Sequence, residues 1–174
     1  TCRPVICPGP QPEDPKLQAN HVNGYKDPFI FRLGATWHCF TIAVDRVERT
    51  RHLSSDDGET WRPVREDPAL DLGGWHGFFT RPASVLPVGV GYLLIYEGSN
   101  VAWFDPPYNV ATGLAWSPDL LQFADLTPDE PLLVSTTPGD YKTWRYSHWI
   151  WVGETLHVYA EVCRPNNSNE IRAW

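Results

Sequence analysis

The sequence has no methionine and only four cysteines. It also has no apolar run approaching the ~18 residues that a membrane-crossing helix needs, which excludes helical membrane insertion. Positive charge is scarce: 14 Lys and Arg stand against 21 Asp and Glu, for a formal net charge of −7. That balance argues against a nucleic-acid backbone as partner. The first residues carry no basic stretch followed by an apolar core, so no targeting signal is read and localisation stays open. Cys2, Cys7, Cys39 and Cys163 form no Cys-x-x-Cys pair, so a zinc site is not expected. Cys2 and Cys7 are spaced to close a small loop. Cys39, inside an apolar strand pattern, reads as a buried free thiol, and so does Cys163.

What is present defines an ordered chain. Of 174 residues, 42% are hydrophobic and 20% charged, a mixture that excludes disorder and can bury a core. Aromatic residues make up 13%, with nine tryptophans. The chain opens at Thr1 without methionine and stops at Ile171-Arg172-Ala173-Trp174 without a polar tail. The expectation is that this is a piece of something longer.

Residues 1–24 are proline-rich and aperiodic and read as an irregular arm. Beyond them, short β-rich runs alternate with Gly, Pro, Asp and Asn: Phe29 to Phe31, Cys39 to Val44, Tyr92 to Tyr96, Ala111 to Trp116, Trp149 to Val152 and Leu156 to Val162. No amphipathic helical pattern sits between them, so a parallel α/β sheet is excluded and the class is all-β.

Repetition selects among the β architectures. Lys26-Asp27-Pro28-Phe29-Ile30-Phe31, Arg81-Pro82-Ala83-Ser84-Val85-Leu86 and Arg145-Tyr146-Ser147-His148-Trp149-Ile150 align. Each is followed by a Gly turn (Gly34, Gly91, Gly153) and a second strand. Pro28 and Pro82 are 54 residues apart, and Gly91 and Gly153 are 62 apart. Periods of ~40–50 residues mark propeller blades, and slightly longer ones fit blades with loop insertions. The expected architecture is a partial β-propeller over 25–174, with blades near 25–64, 78–126 and 144–174. Ser54-Ser55-Asp56-Asp57-Gly58-Glu59-Thr60-Trp61 fits Ser-x-Asp-x-Gly-x-Thr-Trp, the Asp-box turn of propellers, and Ser117-Pro118-Asp119-Leu120-Leu121-Gln122-Phe123 is a shortened copy. In such a turn the Asp side chain accepts turn amides and the Gly supplies a positive φ.

Lys26-Asp27-Pro28-Phe29-Ile30-Phe31, Tyr92-Leu93-Leu94-Ile95-Tyr96-Glu97-Gly98 and the Ser-x-Asp turns together resemble the five-bladed propeller glycosidases over roughly 25–174. These are the arabinanase and xylosidase group (glycoside hydrolase family 43), the invertase and levansucrase families and the mannoside phosphorylase family. The resemblance implies a five-bladed β-propeller, a carbohydrate substrate, and a central pocket reached by Asp27 as base, nucleophile or transition-state stabiliser. It allows a channel calcium, which no ligand cluster in the sequence demands, so no cofactor is expected. The families carry further carboxylates at other inner-strand starts, where this chain has Arg81-Pro82 and Arg145-Tyr146.

Strand alternation gives a separate argument. If first-strand starts face a pocket, second-strand ends and the loops after them face it too. That rim gathers Asp27, Arg81, Arg145 and His148, then Asp45, Arg46, Glu97, Asn100, Glu161 and Arg164, and from the loop after Ser99 also Trp103, Phe104, Asp105 and Tyr108. Carboxylates, arginines and aromatic platforms suit sugars, whose hydroxyls they bond and whose apolar faces they stack on. Glycoside hydrolysis uses two carboxyl groups. The catalytic candidates are Asp27, Glu97 and Glu161. The substrate-binding candidates are Arg81, Arg145, His148, Trp103, Asp105 and Tyr108. Each also has a plainer reading: Asp27 as a turn residue, the Glu and Arg residues as ion pairs between blades, and His148 as a hydrogen-bonded structural residue. The leading expectation is a glycosidase. A non-catalytic glycan- or protein-binding propeller and a sialidase-like propeller, with Arg81, Arg145 and Tyr146 in its site, are the alternatives.

Overall fold

A computed structural model describes residues 3–11, 13, 21–104 and 108–174. Asp105 and Cys2 lie outside the described residues, and so does any pairing of Cys2 with Cys7. Residues 3–11 and 21–23 carry no strand.

The described chain is built of antiparallel meanders. The first is β1 (Gly24–Leu33), β2 (Thr36–Val44), β3 (Glu48–Ser55) and the short β4 (Arg62–Pro63). The second is β5 (Phe79–Val88), β6 (Gly91–Ser99), β7 (Ala111–Ser117) and β8 (Ala124–Asp125). The third is β9 (Trp144–Val152), β10 (Thr155–Cys163) and β11 (Asn169–Ala173). One parallel pair, Glu48 with Phe79, joins the first two. The sole α-helical element among the described residues is the single turn α1 (Val101–Phe104). The inner strands β1, β5 and β9 are neighbours in that order. This is a partial propeller of three blades.

Local sequence explains the hairpins. Gly34 and Gly153 each open a two-residue loop with φ near 60°, a conformation that costs glycine little. Phe40 packs with Leu70, Val85, Leu94, Tyr96, Ala115, Leu120 and Phe123 in the main core between the first two blades. Burial of each large side chain contributes roughly 1.5–3 kcal/mol before the cost of ordering it. Cys39 and Cys163 are buried free thiols, and burial pushes the Cys39 thiol up to about 12.

The turn after β3 departs from its motif by one residue. Asp57, not Asp56, accepts the Glu59 and Thr60 amides at 2.8 and 2.7 Å, while Ser55 Oγ donates to Asp57 and takes the Gly58 amide. The working frame is therefore Ser55-x-Asp57-Gly58, which is not the Asp-box spacing. Its second copy is in phase: Asp119 accepts from Ser117 Oγ and from the Leu121 amide, and Leu120 (φ 68°) takes the place of Gly58 (φ 75°). Leu120 is buried in the core, and the carbonyl oxygen of the same residue accepts from His52 Nδ1 at 3.0 Å across the two blades.

Candidate functional site

All three inner strands are interrupted at the same register. Lys26 pairs with Ile42, Arg81 with Glu97 and Arg145 with Glu161. Immediately beyond each cation comes a β-bulge: Asp27-Pro28 oppose Thr41, Pro82-Ala83 oppose Tyr96, and Tyr146-Ser147 oppose Ala160. Bulges bend a strand and re-aim its side chains, and they tolerate a proline that lacks a ladder donor, as Pro28 and Pro82 do here. Asp27 (φ 51°) and Tyr146 (φ 50°) both occupy the left-handed region at equivalent bulge positions.

The bulges assemble one polar cluster. Glu48, at the start of β3, takes the Lys26 ammonium and the Arg81 guanidinium. Burial works to raise the Glu48 carboxyl, but the two cations outweigh it and hold it below its ordinary value. Arg81 Nη1 donates to the Tyr108 hydroxyl at 3.1 Å, and its guanidinium lies 4.0 Å over the Phe79 ring. Arg145 donates to Glu161 at 2.7 and 3.0 Å, and its guanidinium sits 4.9 Å from both the Tyr108 and Tyr146 rings. Tyr108 is held from below, its amide bonding the Phe104 carbonyl and its own carbonyl accepting from Thr143 Oγ1 at 2.8 Å.

Glu97 is the buried centre of the cluster. It is 2% exposed and accepts the Tyr146 backbone amide. Burial raises its carboxyl to about 7, against the lowering pull of the Tyr146 amide, Arg81, Arg145 and the Ser147 amide. The Tyr146 phenol is raised by burial as well, opposed by Arg145.

The structure brings together Arg81, Glu97, Tyr108, Arg145 and Glu161 of the residues singled out by sequence, while Asp27 lies exposed in the β1 bulge next to Lys26, which reaches the cluster through Glu48. His148 is exposed further along β9, with its ring 6.1 Å from Phe29. Trp103 lies half-buried on α1, its amide bonded to Asn100. Tyr108 is the residue of that loop seen to reach the arginines. Asp45 is buried against Arg49 at 2.6 Å, with Arg51 at 3.6 Å. Glu48 and Tyr146 are the members that sequence reasoning underweighted. The alternation that selected second-strand ends puts third-strand starts on the same rim, and Glu48, opposite Val44, is one. Among the described residues no group of three or more His, Cys, Asp or Glu could hold a metal ion.

A cleft of about 720 Å³ lies elsewhere, lined by Tyr25, Arg49, Arg51, Arg65, Glu66 and Gln122 among others. Its arginines are partnered, as those of the bulge cluster are: Arg49 with Asp45 and Asp71, Arg51 with the Glu66 carbonyl, and Arg65 with Asp67. It has no strained residue and no bulge aimed into it. The bulge cluster is the better candidate site.

No protein-family model and no curated protein matches the chain. Solved structures do. A structure described as a glycoside hydrolase superposes with TM-score 0.64 at 15% identity, over 95% of this chain and 55% of its own. A thermostable family-43 glycoside hydrolase gives 0.65 at 15% identity, over 86% and 47%. The β-1,2-mannobiose phosphorylase from Listeria innocua, in complex with β-1,2-mannobiose, gives 0.61 at 16%, over 88% and 44%. The chain spans about half the length of the solved structures it matches, and its fold is that of the β-propeller glycoside hydrolases, present here as three blades.

Proposed function

We propose that this chain forms part of the sugar-processing rim of a propeller glycoside hydrolase, with Asp27 as the carboxylate that meets substrate. The observation that carries this reading is the exposed Asp27, held in a left-handed bulge next to Lys26, whose partner Glu48 also takes Arg81. Asp27 acts as general base, nucleophile or stabiliser of an oxocarbenium-like transition state. Glu97 and Glu161 take supporting roles: Glu97 holds the β9 bulge and Glu161 fixes Arg145. Arg81, Arg145 and Tyr108 bond sugar hydroxyls.

Asp27→Asn removes the ionisable carboxyl and keeps its size, so glycoside cleavage is expected to disappear while the thermal midpoint holds. Undiminished turnover of arabino-oligosaccharides or β-1,2-mannobiose by the variant sinks the reading. A non-catalytic glycan-binding rim is the second reading. It is favoured by one observation: Glu97 and Glu161 are both committed to internal partners. Oligosaccharide binding without turnover in the wild-type protein selects it.

A further inference from the structure

Tyrosine at a positive φ is an outlier, because its Cβ crowds the following carbonyl. Tyr146 adopts that conformation and is 52% exposed, so no packing of its ring into the core offsets the strain. Its backbone is nevertheless held firmly. The amide is bonded by Glu97, a carboxylate from the neighbouring blade, and the bulge is closed by the Arg145–Glu161 pair on one side. On the other side Ser84 Oγ donates to the Ser147 carbonyl and accepts the Trp149 amide, at 3.0 and 3.1 Å. Two blades thus fix an unfavourable backbone under an exposed aromatic ring. Strain maintained in this way clusters at functional sites.

The surroundings say what the ring can do. The Arg145 guanidinium lies 4.9 Å from the Tyr146 ring centroid and is itself pinned by Glu161 and the Tyr108 ring. One side of the aromatic ring is thereby occupied by a cation, and half of the side chain stays open to solvent. The equivalent bulge of the first blade presents Asp27, while that of the second presents Pro82 and the small Ala83. Charge, gap and aromatic platform thus come in sequence along the inner strands.

We propose that Tyr146 is a further substrate-contacting residue of this rim, offering its open ring to the apolar C–H face of a sugar ring bound across from Asp27. The proposal rests on the carbohydrate reading above. It adds a residue and a contact type: stacking on a pyranose or furanose ring, with the phenol at its edge for a hydroxyl.

The test uses Tyr146→Gly, Tyr146→Phe and Asp27→Asn in the whole chain, with thermal melts, and calorimetric titration with arabino-oligosaccharides and with β-1,2-mannobiose. Glycine relieves the left-handed backbone, so Tyr146→Gly should melt at or above the wild-type temperature while losing affinity about five- to tenfold or more. Tyr146→Phe keeps the stacking ring and should stay within about threefold of wild type. A lower melting temperature for Tyr146→Gly would mean that the ring is structural, and overturns the proposal. So does unchanged affinity in that variant, and so does failure of the wild-type protein to bind either sugar. The two readings separate cleanly. If Asp27→Asn abolishes cleavage but Tyr146→Gly binds normally, the proposal fails and the enzymatic reading stands. If Tyr146→Gly loses binding but Asp27→Asn leaves cleavage intact, the proposal stands and the role of Asp27 fails.

Discussion

Replacing Glu97 with glutamine should change how folding stability depends on pH. The Glu97 carboxyl is wholly buried, and its pKa is raised from 4.5 to about 7, with burial as the largest cause. At about 1.36 kcal/mol per pKa unit, the difference between its two protonation states is about 3 kcal/mol. Between pH 4.5 and about 7 the folded chain keeps a proton that the unfolded chain has released. The stabilisation from this group is therefore fully present below pH 4.5 and is lost as pH rises through about 7. The introduced carboxamide cannot titrate, but its carbonyl oxygen can still accept the Tyr146 amide. Arg81 and Arg145 stay charged throughout and largely cancel in the comparison. The stability of wild type minus that of Glu97→Gln should thus fall by about 3 kcal/mol between about pH 4 and pH 8. Urea unfolding at a series of pH values and fixed ionic strength measures it. A difference that is flat with pH would refute the buried, proton-linked assignment of Glu97.

Two further outcomes test the packing. His52 is buried with Nδ1 on the Leu120 carbonyl and Nε2 2.9 Å from His38 Nδ1, and burial lowers its pKa to about 4. Its contribution to stability is present above pH 6.5 and lost as pH falls through about 4, so a proton NMR titration should find its midpoint near 4. A midpoint between about 6 and 7 contradicts the buried neutral ring. Gly113→Ala would set a Cβ 2.6 Å from the Tyr96 hydroxyl, which bonds Asp125 at 2.9 Å and Thr127. The expected loss is about 2–4 kcal/mol, from overpacking plus a displaced buried hydroxyl. A denaturation shift below about 0.5 kcal/mol would show that the sheet yields there.

Much of the fold was legible because local chemistry is repeated. Pro28 and Pro82 mark inner-strand bulges, Gly34 and Gly153 mark hairpin loops, and the cations Lys26, Arg81 and Arg145 recur at one register. Local chemistry could not choose between Ser54-x-Asp56 and Ser55-x-Asp57. Adjacent residues of a strand face opposite sides, and only the pairing of β3 with β2, Ser55 against Trp37, decides which serine enters the turn. Of the aromatic candidates after Ser99, Tyr108 reaches the arginines, since the Phe104 carbonyl and Thr143 hold its backbone beneath them.

The sequence by itself determined the all-β class and the repeat, because these follow from strand period, turn residues and alternation along one chain. Tertiary structure alone decided how exposed each carboxylate is. Glu97 and Asp27 are both acidic residues at rim positions. One is buried by the stacking of a neighbouring blade, shifted upward and tied to the Tyr146 amide, and the other is left exposed. Desolvation depends on which surfaces meet across ~50–60 residues of chain, and that is set by how blades stack rather than by any local pattern.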